Sequence, residues 1–288
     1  MHLPPAIKEA IERELSTTIL KVSPLSGGDI NIAGLLHTSH GNFFVKINDS
    51  PDSERILQTE AKGLKLLKKS NKIGVAKVMG QGNTATSAWL LLDYIPQGTP
   101  SPKFWELFGH ALANLHRQTN NHYGLDHHNF IGSLPQYNDA KADGIDFLIH
   151  QRLYPQLEMA LNSAQLNSRD AEHFEHLFKQ FPDMIPNEPP SLIHGDLWSG
   201  NFICSEKGQS ILIDPAVSFA HREMDLAMSR LFGGFAQRFY AAYEESYPTA
   251  PGLEQRIGIY QLYYLLVHVN IFGRGYVGQV RSVLSQYF

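Results

Sequence analysis

The chain has 288 residues, 43% of them hydrophobic and 18% charged, with a net charge of −4. That composition describes a packed globular protein and argues against disorder and against nucleic acid as the main partner. The length suffices for one large domain or two modest lobes sharing a cleft.

The N-terminus, Met1 to Leu15, is charged and amphipathic and lacks the apolar core of a signal peptide. The single cysteine, Cys204, rules out an intrachain disulfide. Together these suggest a reducing, cytoplasmic setting. Next comes Leu25-Ser26-Gly27-Gly28-Asp29-Ile30-Asn31. Gly27 and Gly28 suit a turn whose N–H groups approach nucleotide phosphates, and a plain hairpin turn is an equal reading. It matches neither G-x-G-x-x-G nor a Walker A motif.

Phe43 to Ile47 reads as a strand with Lys46 inside it. Pro51 to Lys69 reads as a helix, with Leu57, Ala61, Leu64 and Leu67 on one face and Ser50 as its N-cap. A lysine in an apolar strand calls for a counter-charge, and Glu60 on that helix is the candidate. The alternative makes Lys46 an edge-strand gatekeeper and Glu60 a solvated residue. Ala88 to Ile95 reads as a buried strand, and its end, Leu92-Asp93-Tyr94, falls where a hinge between lobes would present backbone to an adenine. An ordinary strand end is the alternative. Pro96 to Pro100 breaks the pattern. The expected division is therefore residues 1–95 as a nucleotide-binding lobe and 96–288 as a catalytic and substrate lobe. Phe104 to His116 resumes as helix, and Ile259 to Phe272 is an apolar run too short and too interrupted, at Gln261, His268 and Asn270, for a membrane span.

The most informative stretch is Leu192 to Asn201 followed by Ile211 to Asp214. Asp196 precedes Asn201 by the Asp-x-x-x-x-Asn spacing of kinase catalytic loops, and Asp214 follows an apolar strand. Phosphoryl transfer needs one group that orients the attacking hydroxyl and takes its proton. It also needs oxygen ligands for the cation beside the transferring phosphate. Asp196 suits the first role; Asn201 and Asp214 suit the second. The strands around Ser205 to Gly208 read as a hairpin that folds Asp214 back beside Asn201. His194 is expected to hold the loop. Trp198 could pack on a sugar or amine, or anchor the loop in the core. Glu223 could attract a cationic amine or cap the following helix, with Asp225 structural. The histidines at 122, 127 and 128 read as a polar loop.

The segments His194 to Asn201, Asp214-Pro215-Ala216 and His221 to Met228 resemble the fructosamine (ketosamine) kinase family, in the aminoglycoside-phosphotransferase-like branch of the protein-kinase-like fold. Leu25 to Gly28, Glu60 to Leu64, Leu115-His116, Gly132 to Asn138, Leu231 to Phe235 and Phe272 to Tyr276 look similar to it as well. The resemblance implies an α+β bilobal fold: a small N-lobe with an antiparallel sheet and a larger, mostly helical C-lobe. It implies ATP- and Mg2+-dependent phosphorylation of a ketosamine, small or protein-bound, at the third sugar carbon. The product falls apart and frees the amine, which amounts to deglycation repair. Asp196 would be the base, Asn201 and Asp214 the magnesium ligands, and Lys46 with Glu60 the phosphate clamp. No nucleic acid or membrane partner is expected, and the chain should be a monomer or weak dimer. The sequence departs from the family in having no cysteine in the Gly27–Gly28 segment and in reading Val217-Ser218-Phe219-Ala220 where a tyrosine–glycine pair is common. The alternatives are a kinase of the same branch with another acceptor (an aminoglycoside, choline or a sugar) and an inactive nucleotide-binding scaffold.

Overall fold

The structure is a computed structural model and describes residues 3–25 and 32–288; the Gly27–Gly28 turn lies outside the described residues. The N-terminal part runs α1 (Pro5–Leu15), β1 (Ile19–Pro24), β2 (Ile32–Thr38), β3 (Gly41–Asn48), α2 (Ser53–Ser70), β4 (Gly74–Val75), β5 (Val78–Asn83) and β6 (Ala88–Asp93). Five of its strands make one antiparallel sheet in the order β1-β2-β3-β6-β5.

Side chains alternate across a strand, so this sheet has two distinct faces. Val45, Ile47, Trp89 and Leu91 turn to one face and join Ile7 and Ile11 of α1 in a small core. Leu90 and Leu92 turn the other way, into the main core shared with Leu57, Ala61 and Leu64 of α2. Lys46 pairs with Leu90 across β3 and β6, so it points toward α2 with that second set. A one-residue slip would carry the ammonium to the α1 side and remove it from the site.

α2 starts at Ser53, with Asp52 at the N-cap position and no side-chain cap bond. Ser50 is therefore not its cap. Pro51 and Asp52 form a turn instead, closed by Ser53 N–H donating to Ser50 O at 3.0 Å.

The remainder is mostly helical: α3 (Pro102–His116), the hairpin β7 (Asn129–Ile131) and β8 (Leu134–Gln136), α4 (Gly144–Phe147), a π-helical turn (Leu148–Leu153), α5 (Tyr154–Asn162), α6 (Ser168–Phe178) and α7 (Phe181–Met184). Then follow β9 (Ser191–Ile193), β10 (Phe202–Cys204), β11 (Ser210–Leu212), β12 (Ser218–Ala220), α8 (Glu223–Leu231), α9 (Gln237–Ser246), α10 (Leu253–Phe272) and α11 (Val277–Leu284). α3 begins where Ser101 Oγ accepts from Phe104 N–H at 3.2 Å and Pro102 takes the first turn. Among the described residues no helix is long and apolar enough to cross a membrane. α10 is instead core: Tyr260, Leu262, Leu266 and Val269 are all fully buried.

The break at Pro96 to Pro100 is not an open linker. Gly98 N–H donates to Cys204 O at 2.8 Å, and a Cβ on Gly98 would lie 2.7 Å from Ser205 O, so only glycine lets the chain lie this close. β4, from the N-terminal part, pairs in parallel with β11. The β4–β11 pairing thus crosses a boundary drawn at residue 95.

Candidate active site

β10 and β11 form the hairpin read from the sequence, with Phe202 opposite Leu212. One step further, Ile213 N–H donates to Asn201 O at 3.1 Å. Asn201 and Asp214 therefore sit side by side at the open end of the hairpin. Asp214 has φ +54°, a left-handed conformation that costs a non-glycine residue energy and recurs at functional sites.

The loop preceding the hairpin is held by Asp225 of α8, which is fully buried. Its two oxygens accept from the N–H groups of His194 and Gly195, each at 2.8 Å, and His116 Nε2 lies 3.1 Å from Oδ2. This is the structural role read for Asp225 from the sequence. His194 Nε2 donates to Ile213 O at 2.8 Å, while its Nδ1 accepts from Asp196 N–H at 3.2 Å. Burial holds the His194 pKa below the ordinary histidine value, so the ring is a neutral strut between loop and hairpin. Gly195 has φ +85°, and a Cβ there would stand 2.0 Å from Ala216 O. Glycine is required at this position twice over.

Asp196 is half-buried. Its Oδ2 accepts from Asn201 Nδ2 at 2.9 Å, and the same nitrogen donates to Asp196 O at 2.8 Å. Burial pushes its pKa up to about 7; the Asn201 bond pulls down, and the charges of Asp214 and Asp225 push up further.

Lys46 Nζ lies 2.8 Å from Glu60 Oε1 and 2.5 Å from Asp214 Oδ1. The edge-strand alternative for Lys46 is therefore set aside: β3 is a central strand and the side chain is buried. Burial works against the ammonium, but the Asp214 and Glu60 carboxylates hold its pKa above the ordinary lysine range. Burial and the nearby Asp214 charge push the Glu60 carboxyl upward while Lys46 pulls it down. The net direction is upward, with the Lys46 ammonium 2.8 Å away as the group that opposes it.

Lys46, Glu60, Asp196, Asn201 and Asp214 all line one open cavity of about 720 Å³. Aromatic side chains line it as well. Trp198 stands edge-on to Phe232, and Phe232, Phe272 and Tyr276 ring His268. Trp198 remains 37% exposed, so it is a cavity side chain and not a core anchor. A Cβ at Gly200 would meet the Trp198 ring at 2.4 Å, which explains the glycine. His268 Nδ1 donates to Tyr264 O at 2.7 Å, and burial lowers the ring's pKa. Its Nε2 is thus left as an acceptor in the cavity. Sequence reading assigned no role to Phe232, Tyr264, His268, Phe272 or Tyr276; the signals were the family-like segments Leu231 to Phe235 and Phe272 to Tyr276 and the polar interruption at His268 in an otherwise apolar run.

One expectation changes. Glu223 is buried, with both oxygens bonded to Arg256 at 2.8 and 2.6 Å, and it is not on the cavity wall. It is a structural ion pair, and a substrate amine cannot reach it. At the end of β6, Leu92 is a core residue, and Asp93 Oδ1 accepts from Lys77 N–H at 2.5 Å. A nucleotide contact there would fall, as read from the sequence, to the backbone leading to Tyr94.

The model of the fructosamine kinase family matches residues 4–288. The chain belongs to the fructosamine kinase family. The kinase is 40% identical over 273 residues to a Lactiplantibacillus plantarum protein named a probable ketoamine kinase, covering 94% of this chain and 95% of that one. It is 32% identical to a chloroplastic protein-ribulosamine 3-kinase of Arabidopsis thaliana, covering 94% of this chain and 84% of the relative. Among solved structures it resembles a candidate fructosamine-3-kinase from Thermobifida fusca, with TM-score 0.89, 30% identity and 98% of each chain covered. The aminoglycoside phosphotransferase APH(4)-Ia, at 13% identity and TM-score 0.63 over 97% of this chain and 99% of that one, shares the fold. The fold is thus the α+β bilobal, protein-kinase-like one.

Proposed function

We propose that this kinase transfers the γ-phosphoryl group of ATP to a sugar hydroxyl of a ketosamine, a fructosamine or ribulosamine adduct on a small amine or a protein lysine. The observation that carries the proposal is the convergence of Lys46, Glu60, Asp196, Asn201 and Asp214 on one cavity that aromatic side chains also line. Protein-kinase-like phosphoryl transfer uses such a set.

Asp196 is the base that orients the attacking hydroxyl and accepts its proton. A carboxylate with a pKa of about 7 is matched to that task at neutral pH. Lys46, fixed by Glu60, clamps phosphate oxygens. Asp214 and Asn201 would hold Mg2+. Lys46 binds Oδ1 of Asp214, and Asn201 turns its Nδ2 to Asp196, so Oδ2 of the one and Oδ1 of the other are the oxygens that suit a hard cation. Among the described residues no group of three His, Cys, Asp or Glu could hold a metal by itself. Two oxygen ligands fit a magnesium ion that arrives with nucleotide phosphates. When bound, the ion neutralises charge developing on the transferring phosphate.

We assign residues 1–95 to the nucleotide lobe and 96–288 to the catalytic and acceptor lobe, with the backbone near Tyr94 at the nucleotide's base. On the acceptor side, Trp198 offers a face for a sugar or amine and His268 Nε2 an acceptor for a hydroxyl. Phosphorylation at the third sugar carbon would make the adduct fall apart, which is deglycation repair. The lone Cys204 supports a reducing, cytoplasmic setting, with the chain a monomer or weak dimer.

The test is Mg2+-dependent ADP release with ribuloselysine, fructoselysine, choline and an aminoglycoside as acceptors. Turnover on a ketosamine supports the proposal. Turnover only on choline or the aminoglycoside would keep the kinase chemistry and overturn the substrate class.

A further inference from the structure

The β7–β8 hairpin carries a buried polar network that the reaction scheme above does not use. Asn129 lies on β7, Gln136 ends β8, and Asn138 follows two residues later. Arg152 belongs to the π-helical turn and is 1% exposed, yet none of its hydrogen bonds goes to a carboxylate. Its guanidinium donates to the carbonyls of Tyr137 and Gln151 and lies 4.5 Å from the centre of the Phe147 ring. A buried cation held by neutral groups alone is costly to keep, and π-helical turns recur at functional sites.

The hydrogen bonds of this network all run in one direction. Arg152 Nη2 donates to Asn138 Oδ1 at 2.8 Å, Asn138 Nδ2 to Asn129 Oδ1 at 2.8 Å, and Asn129 Nδ2 to Val217 O at 2.9 Å. A second line starts at Tyr263 of α10. Its hydroxyl donates to Gln136 Oε1 at 2.7 Å, and Gln136 Nε2 donates to Ala216 O at 3.0 Å and to Asn129 Oδ1 at 2.9 Å. Two head-to-tail chains therefore end on consecutive backbone carbonyls, two and three residues beyond Asp214. Each link polarises the next, so the donors that reach the loop are strengthened from behind. The same short segment is tied to the Asp196 loop: Ala216 N–H donates to His194 O at 2.9 Å, and Gly195 packs on Ala216 O. Asp214 is in a strained left-handed conformation, which persists only where its surroundings over-determine it. Pro215 to Val217 is the piece of surroundings that the network grips.

We propose that Gln136 and Asn129, backed by Tyr263 and Arg152, are positioning residues for phosphoryl transfer. They hold Pro215–Val217, and so fix Asp214 relative to Asp196. This rests on the kinase reading for its rate effect, but not for its structural effect.

The experiment compares Gln136→Leu with Val280→Ala, a buried α11 control chosen to lower thermal stability without touching the network. In ligand-free protein, amide hydrogen exchange at Ala216 and Val217 should quicken by about tenfold or more in Gln136→Leu and not in Val280→Ala. In turnover, Gln136→Leu should lose roughly 10- to 100-fold in kcat with KM for ATP and acceptor within about threefold, since misplacement by about 1 Å is enough for such a loss. Unchanged exchange at residues 216–217, or a kcat no lower than that of Val280→Ala, would overturn the proposal. Should Gln136→Leu fail to fold, Tyr263→Phe removes one hydroxyl and keeps the shape. It should show the same localised exchange and a smaller kcat loss, and parental values in both would again overturn the proposal. If the parent protein turns over no acceptor, the kinase reading fails while the exchange result still decides the structural part.

Discussion

Asp196 meets two opposing demands, and both leave a trace in pH. Burial raises its pKa from the usual carboxyl range to about 7. As a base it works ionised, so kcat/KM should rise with pH through about 7, and a profile flat from pH 5 to 8 would contradict the assignment. For stability the sign is the reverse. A carboxyl whose folded pKa exceeds its unfolded one keeps a proton in the folded state that the unfolded chain has lost, so its contribution falls as pH rises from about 4 to 7 and is flat above. Asp196→Asn should therefore abolish turnover while its Tm at pH 8 equals or exceeds the parent's, an advantage that disappears near pH 4. Loss of activity with a matching loss of Tm at pH 8 would reduce Asp196 to a structural residue. Lys46→Met removes the ammonium and leaves the carboxylates of Glu60 and the partly exposed Asp214 without the cation between them. It should cost at least about 100-fold in kcat/KM, by analogy with other losses of preorganised charge, and lower the Tm as well.

At the scale of elements, the account turns on which charged pairs are framework and which are machinery. Glu223 and Arg256 join α8 to the start of α10, both buried. Breaking such a pair costs about 3–5 kcal/mol, so Glu223→Ala should unfold well below the parent temperature. The protein that remains folded should keep its KM for a ketosamine, as thermal melts and initial rates at a permissive temperature can check. A KM raised tenfold would restore Glu223 to the substrate. This distinction also marks what the sequence could and could not reveal. Asp196, Asn201 and Asp214 were legible because a hairpin fixes their spacing locally, and Lys46 because a charge inside an apolar strand demands an explanation. The partner of Glu223 was not legible, since Arg256 lies 33 residues away and meets it only through helix packing. The aromatic wall was hidden for a related reason. α10 is apolar almost all round, so Tyr264 and His268 looked like any other positions of a core helix until neighbouring segments left that stretch facing a cavity. Ser50 was misread because Pro51 suits a turn as well as a helix start.

At the scale of the whole molecule, two lobes are expected from the break at Pro96 to Pro100, but their join is not. β4 pairs with β11, and the Pro96 to Pro100 segment is bonded to the β10–β11 hairpin. The hairpin that presents Asn201 and Asp214 thus supplies two strands of a three-stranded sheet whose third strand, β4, comes from the N-terminal part. Gly74 allows this pairing, because a Cβ there would lie 2.3 Å from Ser210 O. Gly74→Val should uncouple the lobes, with a fall in kcat and in thermal stability together. A variant with parental values for both would show that the β4 pairing contributes nothing.

The central claim is that this cleft phosphorylates a ketosamine with Asp196 as the base. The most direct measurement is phosphorus NMR of a reaction containing ATP, Mg2+ and ribuloselysine, run with the parent protein and with Asp196→Asn. The account predicts a new sugar phosphomonoester signal growing as the γ-phosphate of ATP declines, followed by release of free lysine, and neither with Asp196→Asn. A phosphomonoester formed equally fast by Asp196→Asn, or ATP loss that yields only inorganic phosphate, would contradict it.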